Sequence, residues 1–415
     1  MPQTIVEKII SNHAGKKVYR GEMAVVDVDM VMATDTTAPL TIQAFKRMGG
    51  EKVWDPEKMV LVIDHASPPP NQAIAVLHDL MREFAKEQNI KLYDIGAGIC
   101  HQLMVENHHV KPGQIVLGAD SHTCTYGALG AFATGVGSTD LAGAMLTGST
   151  WVKVPDTIKV ELNGKLQAGV YAKDIILHLV GLLGIEGATY QAIEFTGEAV
   201  KAMSLDSRMT LANMVIEMGG KAGLVDMAGL ELPYEFEPIT PDEGAKYAKV
   251  ISIDVSEIEP RVAGPHSPDN VKPISEFEGV PIQQAFIGSC TNGRLEDLHE
   301  AAKILKGKKI HPNVRFLIAP ASRKVYLEAV KDGTAQILTE AGATFLPSGC
   351  GPCVGTHLGV PGNNENIASS TNRNFRGRMG NPNSNIYLGS PSFVAAAALN
   401  GEIVNPQKVL DEEGN

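Results

Sequence analysis

Along the first third of the chain, short apolar runs alternate with amphipathic stretches. Residues 59–63 (MVLVI) are an unbroken apolar run, the pattern of a strand buried on both faces, and the run stops at Asp64-His65. Over 73–88 the apolar positions Ile74, Leu77, Leu80, Met81 and Phe84 recur at helical spacing and share one face. Residues 91–95 predict a second strand ending at Gly96-Ala97-Gly98, and 114–118 a third ending at Asp120-Ser121-His122. Strand, polar cluster, helix, strand is the repeating unit of a mostly parallel sheet. Ligands of open α/β sheets bind beyond the carboxyl ends of the strands, where all three polar clusters fall.

Alternation resumes at 154–161 (VPDTIKVE), which puts a boundary near 155. Helical patterns follow at 173–183 and 210–218. Residues 257–283 hold five prolines among turn-forming residues and read as a linker. Beyond it, 284–288 (QAFIG) predicts a strand, and Leu295, Leu298, Ala302 and Leu305 a helical stripe closed by Gly307. A chain of 415 residues exceeds what one hydrophobic core holds. Three α/β domains are therefore expected, over 1–155, 156–276 and 277–415.

Composition narrows the function. With 44% apolar and 20% charged residues the chain is globular, neither disordered nor collagen-like. A net charge of −11, no basic run and only 5% aromatics argue against a nucleic-acid partner. One largely apolar run, between Asp174 and Glu186, has eleven residues, short of the roughly 18 a membrane span needs. The N-terminus lacks the basic-then-apolar layout of a signal peptide, so a cytoplasmic protein without a membrane segment is expected. Five cysteines are too few and odd in number for a disulfide framework.

Cys290 follows a predicted strand in IGSCTNGR, and Cys350 and Cys353 form a C-x-x-C pair in SGCGPC. Three chemistries compete for them. A thioredoxin-type redox pair needs a helix at the first cysteine, and Gly355, Gly359, Pro361 and Gly362 break one. A structural zinc site needs four ligands, and His357 is available as the fourth. An iron–sulfur cluster with three cysteine ligands would leave one iron open as a Lewis acid. Spacing alone does not separate these readings. Cys100 and Cys124 read as small buried residues.

Six motifs then occur in order: Asp64-His65, GAGICHQLMVEN (96–107), GADSHTCTYGALG (118–130), IGSCTNGR (287–294), SGCGPC (348–353) and NRNFRGR (372–378). With them the chain, from about residue 5 to 405, resembles the large subunits of the aconitase superfamily. The resemblance implies three α/β domains with mostly parallel sheets around a cluster cleft. It implies one [4Fe-4S] cluster per large subunit, held by Cys290, Cys350 and Cys353. The implied reaction is dehydration of a 2-hydroxy di- or tricarboxylic acid, then rehydration at the neighbouring carbon. Isopropylmalate, and so leucine biosynthesis, is the first expectation for the substrate, ahead of homoaconitate or dimethylmalate.

Roles carry over by position. His65 matches the acid for the departing hydroxyl, with Asp64 as its partner. His101 matches a second active-site histidine, with Glu217 expected as its carboxylate. Asn213 and Glu217, four apart in 210–218, are expected to face the same way; without the resemblance such a pair reads as a solvated face. Asp120 and His122 match residues around the reacting hydroxyl, and Ser121 a substrate contact, although Asp-Ser-His-Thr also reads as a helix cap. Asn372 matches a cluster contact, and Arg373 and Arg378 match carboxylate-binding arginines, a role their bidentate fork suits.

Two departures from the family pattern matter. Asp35-Thr36-Thr37-Ala38-Pro39 has proline where aconitases proper carry a substrate-contacting glutamine, which disfavours citrate. The chain is also expected to lack the family's swivelling domain, which the resemblance implies would supply a serine base and further arginines. A separate small subunit, in a heterodimer or heterotetramer, is therefore expected to complete the enzyme. The competing classes are an RNA-binding regulator, opposed by the charge, and an electron-transfer protein, which needs four cysteines per cluster.

Overall fold

The computed structural model describes residues 1–411. Among them the strands form four sheets. The first is wholly parallel, in the order Lys91–Tyr93, Met59–Val62, Met30–Thr34, Ile115–Gly118, Phe132–Gly135. Its three central strands are buried along their whole length, which is why they read as unbroken apolar runs. The second is also parallel: Ala222–Val225, Ala192–Thr196, Thr157–Asn163, Lys249–Asp254. The third has seven strands. Asn385–Leu388, Asn366–Ser369, Gln284–Ile287, Arg315–Ile318 and Thr344–Phe345 run parallel, and Arg261–Ala263 and Val271–Pro273 add an antiparallel edge. A two-stranded antiparallel ribbon pairs Met23–Asp27 with Ser149–Lys153.

The helix expected over 73–88 spans Gln72–Gln88, capped by the Asn71 side chain and ended by Asn89 in the left-handed conformation. Its buried face holds Met81, Phe84 and Ala85, and also His78, which the apolar pattern passed over. Two expectations need correction. The proline-rich stretch is not a free linker, because it supplies the two antiparallel edge strands of the third sheet, where proline is tolerated. The helix expected over 210–218 starts earlier, at Leu205–Asn213, and tightens to a 3₁₀ turn over Met214–Met218. Asn213 and Glu217 are both buried there, so the solvated-face reading fails.

Backbone approaches at glycines lock the sheets and their loops together. A Cβ on Gly127 would lie 1.6 Å from the Gly223 carbonyl, so the DSHTCTYGALG segment packs directly on the second sheet. Gly98, at φ +148°, meets the Ser322 backbone at 2.8 Å in the same way. The carboxyl ends of four strands lead into the site. Met59–Val62 leads to Asp64-His65 and Ile115–Gly118 to Asp120-Ser121-His122; Gln284–Ile287 leads to Cys290 and Asn366–Ser369 to Asn372-Arg373.

Candidate functional site

A cavity of about 220 Å³ lies where these ends meet. Cys290, Cys350 and Cys353 line it together with His65, His101, Asp120, Ser121, His122, Asn372, Arg373 and Arg378. Asp64, Asn213 and Glu217 stand behind that wall, each bonded to a lining residue. A larger cleft of about 490 Å³ shares Asp120 and Ser121 but is lined by no cysteine, histidine or arginine.

The histidines and carboxylates form one chain. Asp64 Oδ1 meets His65 Nδ1 at 2.8 Å, and its Oδ2 accepts from the Cys100 backbone N–H. His65 Nε2 lies 3.4 Å from Asp120 Oδ2, while Asp120 Oδ1 meets His101 Nε2 at 2.8 Å and accepts from the His122 N–H. Asp120 therefore caps the following turn and also lines the cavity. The expected His101–Glu217 pair is not formed. His101 instead bonds Asp120 and the Tyr126 hydroxyl, and Glu217 bonds His122 at 2.9 Å and Arg373 Nε at 2.9 Å. Glu217 sits in the 3₁₀ turn Met214–Met218, which brings it beside His122 at the cavity.

The charges divide the two sides of the cavity. Burial disfavours a charged His65, but the Asp64 and Asp120 carboxylates outweigh it and hold the imidazole well above its ordinary value. Burial opposes ionised Asp120 too, and the flanking His101 and His65 hold its carboxyl well below the usual range. Burial and the Arg373 charge push His122 down, which keeps it neutral. The two carboxylates thus favour the charged form of His65, while burial and Arg373 favour the neutral form of His122.

All five cysteines are buried and free. Asn213 Nδ2 and Asn372 Nδ2 donate to Cys290 Sγ at 3.2 and 3.5 Å, and Arg378 Nη2 to Cys353 Sγ at 3.8 Å. Burial pushes Cys290 up to about 12, whereas Cys350 and Arg378 hold Cys353 below the usual thiol range. The C-x-x-C pair opens no α-helix; Gly351–Cys353 is a single 3₁₀ turn. His357, the fourth ligand a zinc site would need, bonds Thr356 Oγ1 at 2.8 Å and is not part of the cavity wall. The Arg378 Nε is buried without a partner among the described residues, a donor left for a ligand.

Sequence reasoning missed Asp35. Its Oδ1 accepts from the backbone N–H groups of Asp64 and His65, and its Oδ2 from Ala66 and from His78 Nε2. With Asp64 and His65 it forms a group of ligand-type atoms within 4.8 Å, yet these bonds occupy its oxygens, and it acts as a clamp on the Asp64-His65 loop. The available signal was positional: like Asp64 and Asp120, Asp35 lies just past the end of a buried parallel strand. Pro39 is buried in the first helical turn and does not line the cavity, whereas Thr36 does.

Asp35→Asn is expected to cost about 1.5–3 kcal/mol, since one charged acceptor serves several buried donors. Burial opposes its charge, but His78, His65 and the backbone donors hold its folded pKa below the unfolded value. Its stabilisation is thus complete above the unfolded carboxyl pKa of about 3.9 and is lost as pH falls below that. Denaturant melts across the acid range should show the variant less stable at neutral pH and less sensitive to acid; an equal acid slope in both proteins would contradict the clamp.

The aconitase family model (aconitate hydratase) matches residues 7–281 and 276–401, and the chain belongs to the aconitase family. More particularly, it is 49% identical to the 3-isopropylmalate dehydratase large subunit 1 of Methanopyrus kandleri, over 99% of this chain and 100% of that one. It is 50% identical to the 3-isopropylmalate dehydratase large subunit of Elusimicrobium minutum, with the same coverage. The probable methanogen homoaconitase large subunit of Methanothermobacter thermautotrophicus is 45% identical over 99% of this chain and 98% of that one. The crystal structure of Thermococcus kodakaraensis aconitase X (holo-form) shares the fold, with a TM-score of 0.53 over 84% of each chain at 15% identity.

Proposed function

We propose that this chain is the large subunit of a 3-isopropylmalate dehydratase, a hydro-lyase interconverting 2- and 3-isopropylmalate, with Cys290, Cys350 and Cys353 holding a [4Fe-4S] cluster. The observation that carries this is the meeting of three free cysteines, a carboxylate-flanked histidine and two arginines on one cavity. Similarity over the full length of relatives bearing that name supports it.

The residues fit the cluster. Three thiols converge, amide donors aim at the Cys290 sulfur and a guanidinium donor at the Cys353 sulfur, as cluster thiolates require, and no fourth cysteine lines the cavity among the described residues. When bound, the cluster would supply an open iron as a Lewis acid toward the departing hydroxyl. His65 gives its Nε2 proton to that hydroxyl, while Asp64 fixes the tautomer through Nδ1. Asp120 holds His65 and His101 in register. Arg373, oriented by Glu217, and Arg378 bind the substrate carboxylates. Ile99 and Val354 give the cavity an apolar wall that suits an isopropyl group. The proton on the neighbouring carbon is taken by a base on a separate small subunit.

The test is turnover by the anaerobically reconstituted chain, alone and mixed with its small subunit. The mixture should convert 2-isopropylmalate and leave homocitrate nearly untouched, and the large chain alone should be inactive. Strong activity of the chain alone, or a preference for homocitrate, would overturn the assignment.

A further inference from the structure

Lys173 is fully buried in the first turn of the helix Ala172–Leu183. Its ammonium reaches the loops that follow two strands of the third sheet. There it donates to Asn292 Oδ1 at 3.0 Å and to the carbonyls of Ser370 and Thr371 at 2.5 and 2.7 Å. These acceptors belong to two loops of the site. Asn292 follows Cys290 by two residues, and Ser370-Thr371 directly precede Asn372 and Arg373.

All three ammonium donors are used, and all three acceptors are neutral. Among the described residues no carboxylate is bonded to this cation. Asp174 accepts instead from the backbone of Tyr171 and Arg261, and Asp297 from the Arg294 backbone and the Asn292 amide. Burial pushes the Lys173 ammonium down to about 7, against the opposing charges of Asp297, Asp174, Cys353 and Cys290. Burial also pushes the Asp174 and Asp297 carboxyls up, and neither carboxylate is hydrogen-bonded to the ammonium. A buried cation without a bonded anion is costly unless negative charge arrives nearby. The cysteine centre is where such charge arises: three thiolates outweigh the charge of the core they ligate.

We propose that Lys173 is a positioning residue of the cysteine centre: it ties the Cys290 loop to the Asn372–Arg373 loop and offsets the negative charge of the ligated cluster. This rests on the reading of Cys290, Cys350 and Cys353 as cluster ligands. A neutral residue at 173 loses both effects, whereas arginine keeps the charge and the donors.

The experiment uses the full chain, reconstituted anaerobically with iron and sulfide, as wild type, Lys173→Met, Lys173→Gln and Lys173→Arg. Two readouts are taken: the rate of iron loss to a chelator and the midpoint potential of the cluster. The methionine and glutamine variants should lose iron roughly 10–100-fold faster, the range seen when partners of metal ligands are removed. Their potentials should shift negative, because removing a cation disfavours the added electron, while arginine stays near wild type. A merely structural lysine would change melting temperature and leave the potential unmoved. If the methionine variant fails to fold, the glutamine and arginine pair decides. Wild-type potential and iron loss in a folded neutral variant overturn the proposal, as does an arginine variant that behaves like glutamine. A wild-type chain that takes up no iron removes the cluster reading itself, and the inference with it.

Discussion

Cys353→Ser is expected to leave a folded chain that binds almost no cluster iron, against about four irons per wild-type chain. Serine nearly matches cysteine in volume, so the 3₁₀ turn Gly351–Cys353 and its packing should survive. What is lost is a soft anionic ligand, and a hydroxyl is not deprotonated near neutral pH. Cys353 is the sharper choice within the C-x-x-C pair, since Arg378 Nη2 donates to its Sγ at 3.8 Å. Activity with the small subunit should fall by more than about 10³-fold, because the site loses its Lewis acid. Iron and sulfide analysis beside a thermal melt checks this. A variant that keeps both full iron and activity would remove Cys353 from the ligand set.

His65→Asn is the second large effect and separates chemistry from assembly. The side chain lines the cavity but touches no cysteine through any hydrogen bond, so iron content should be unchanged. Turnover should fall by about 10²–10⁴-fold, the usual worth of a placed acid. Its pH dependence has a definite sign. Burial is outweighed by Asp64 and Asp120, so the folded imidazole titrates above its ordinary value. The acid form is present below that folded pKa, and activity is lost as pH rises through it. Asp64→Asn removes one of the two anions, so the alkaline limb of the pH–rate profile should move to lower pH. An unmoved limb would mean that another group donates the proton.

Much of the fold was legible because parallel strands buried on both faces leave unbroken apolar runs, as at Met59–Val62 and Ile115–Gly118. Their polar ends marked the site for the same topological reason. Long-range partnering was less legible. Glu217 reaches His122 and Arg373 only because Leu205–Asn213 tightens into a 3₁₀ turn, and helical spacing carries no information about that. The edge strands at Arg261–Ala263 and Val271–Pro273 are three residues each and proline-marked, so local pattern reads them as a linker. Asp35 and Lys173 were passed over because each acts on backbone groups of distant loops, a role that residue type does not signal.

The proposed function requires that the cysteine-lined cavity hold a cluster whose open position meets the substrate. The direct measurement is the visible and electron paramagnetic spectrum of the anaerobically reconstituted chain, recorded with and without 2-isopropylmalate. The account predicts a brown [4Fe-4S] protein whose reduced spectrum changes when substrate is added. A colourless chain with tightly bound zinc would return Cys290, Cys350 and Cys353 to a structural role and contradict it.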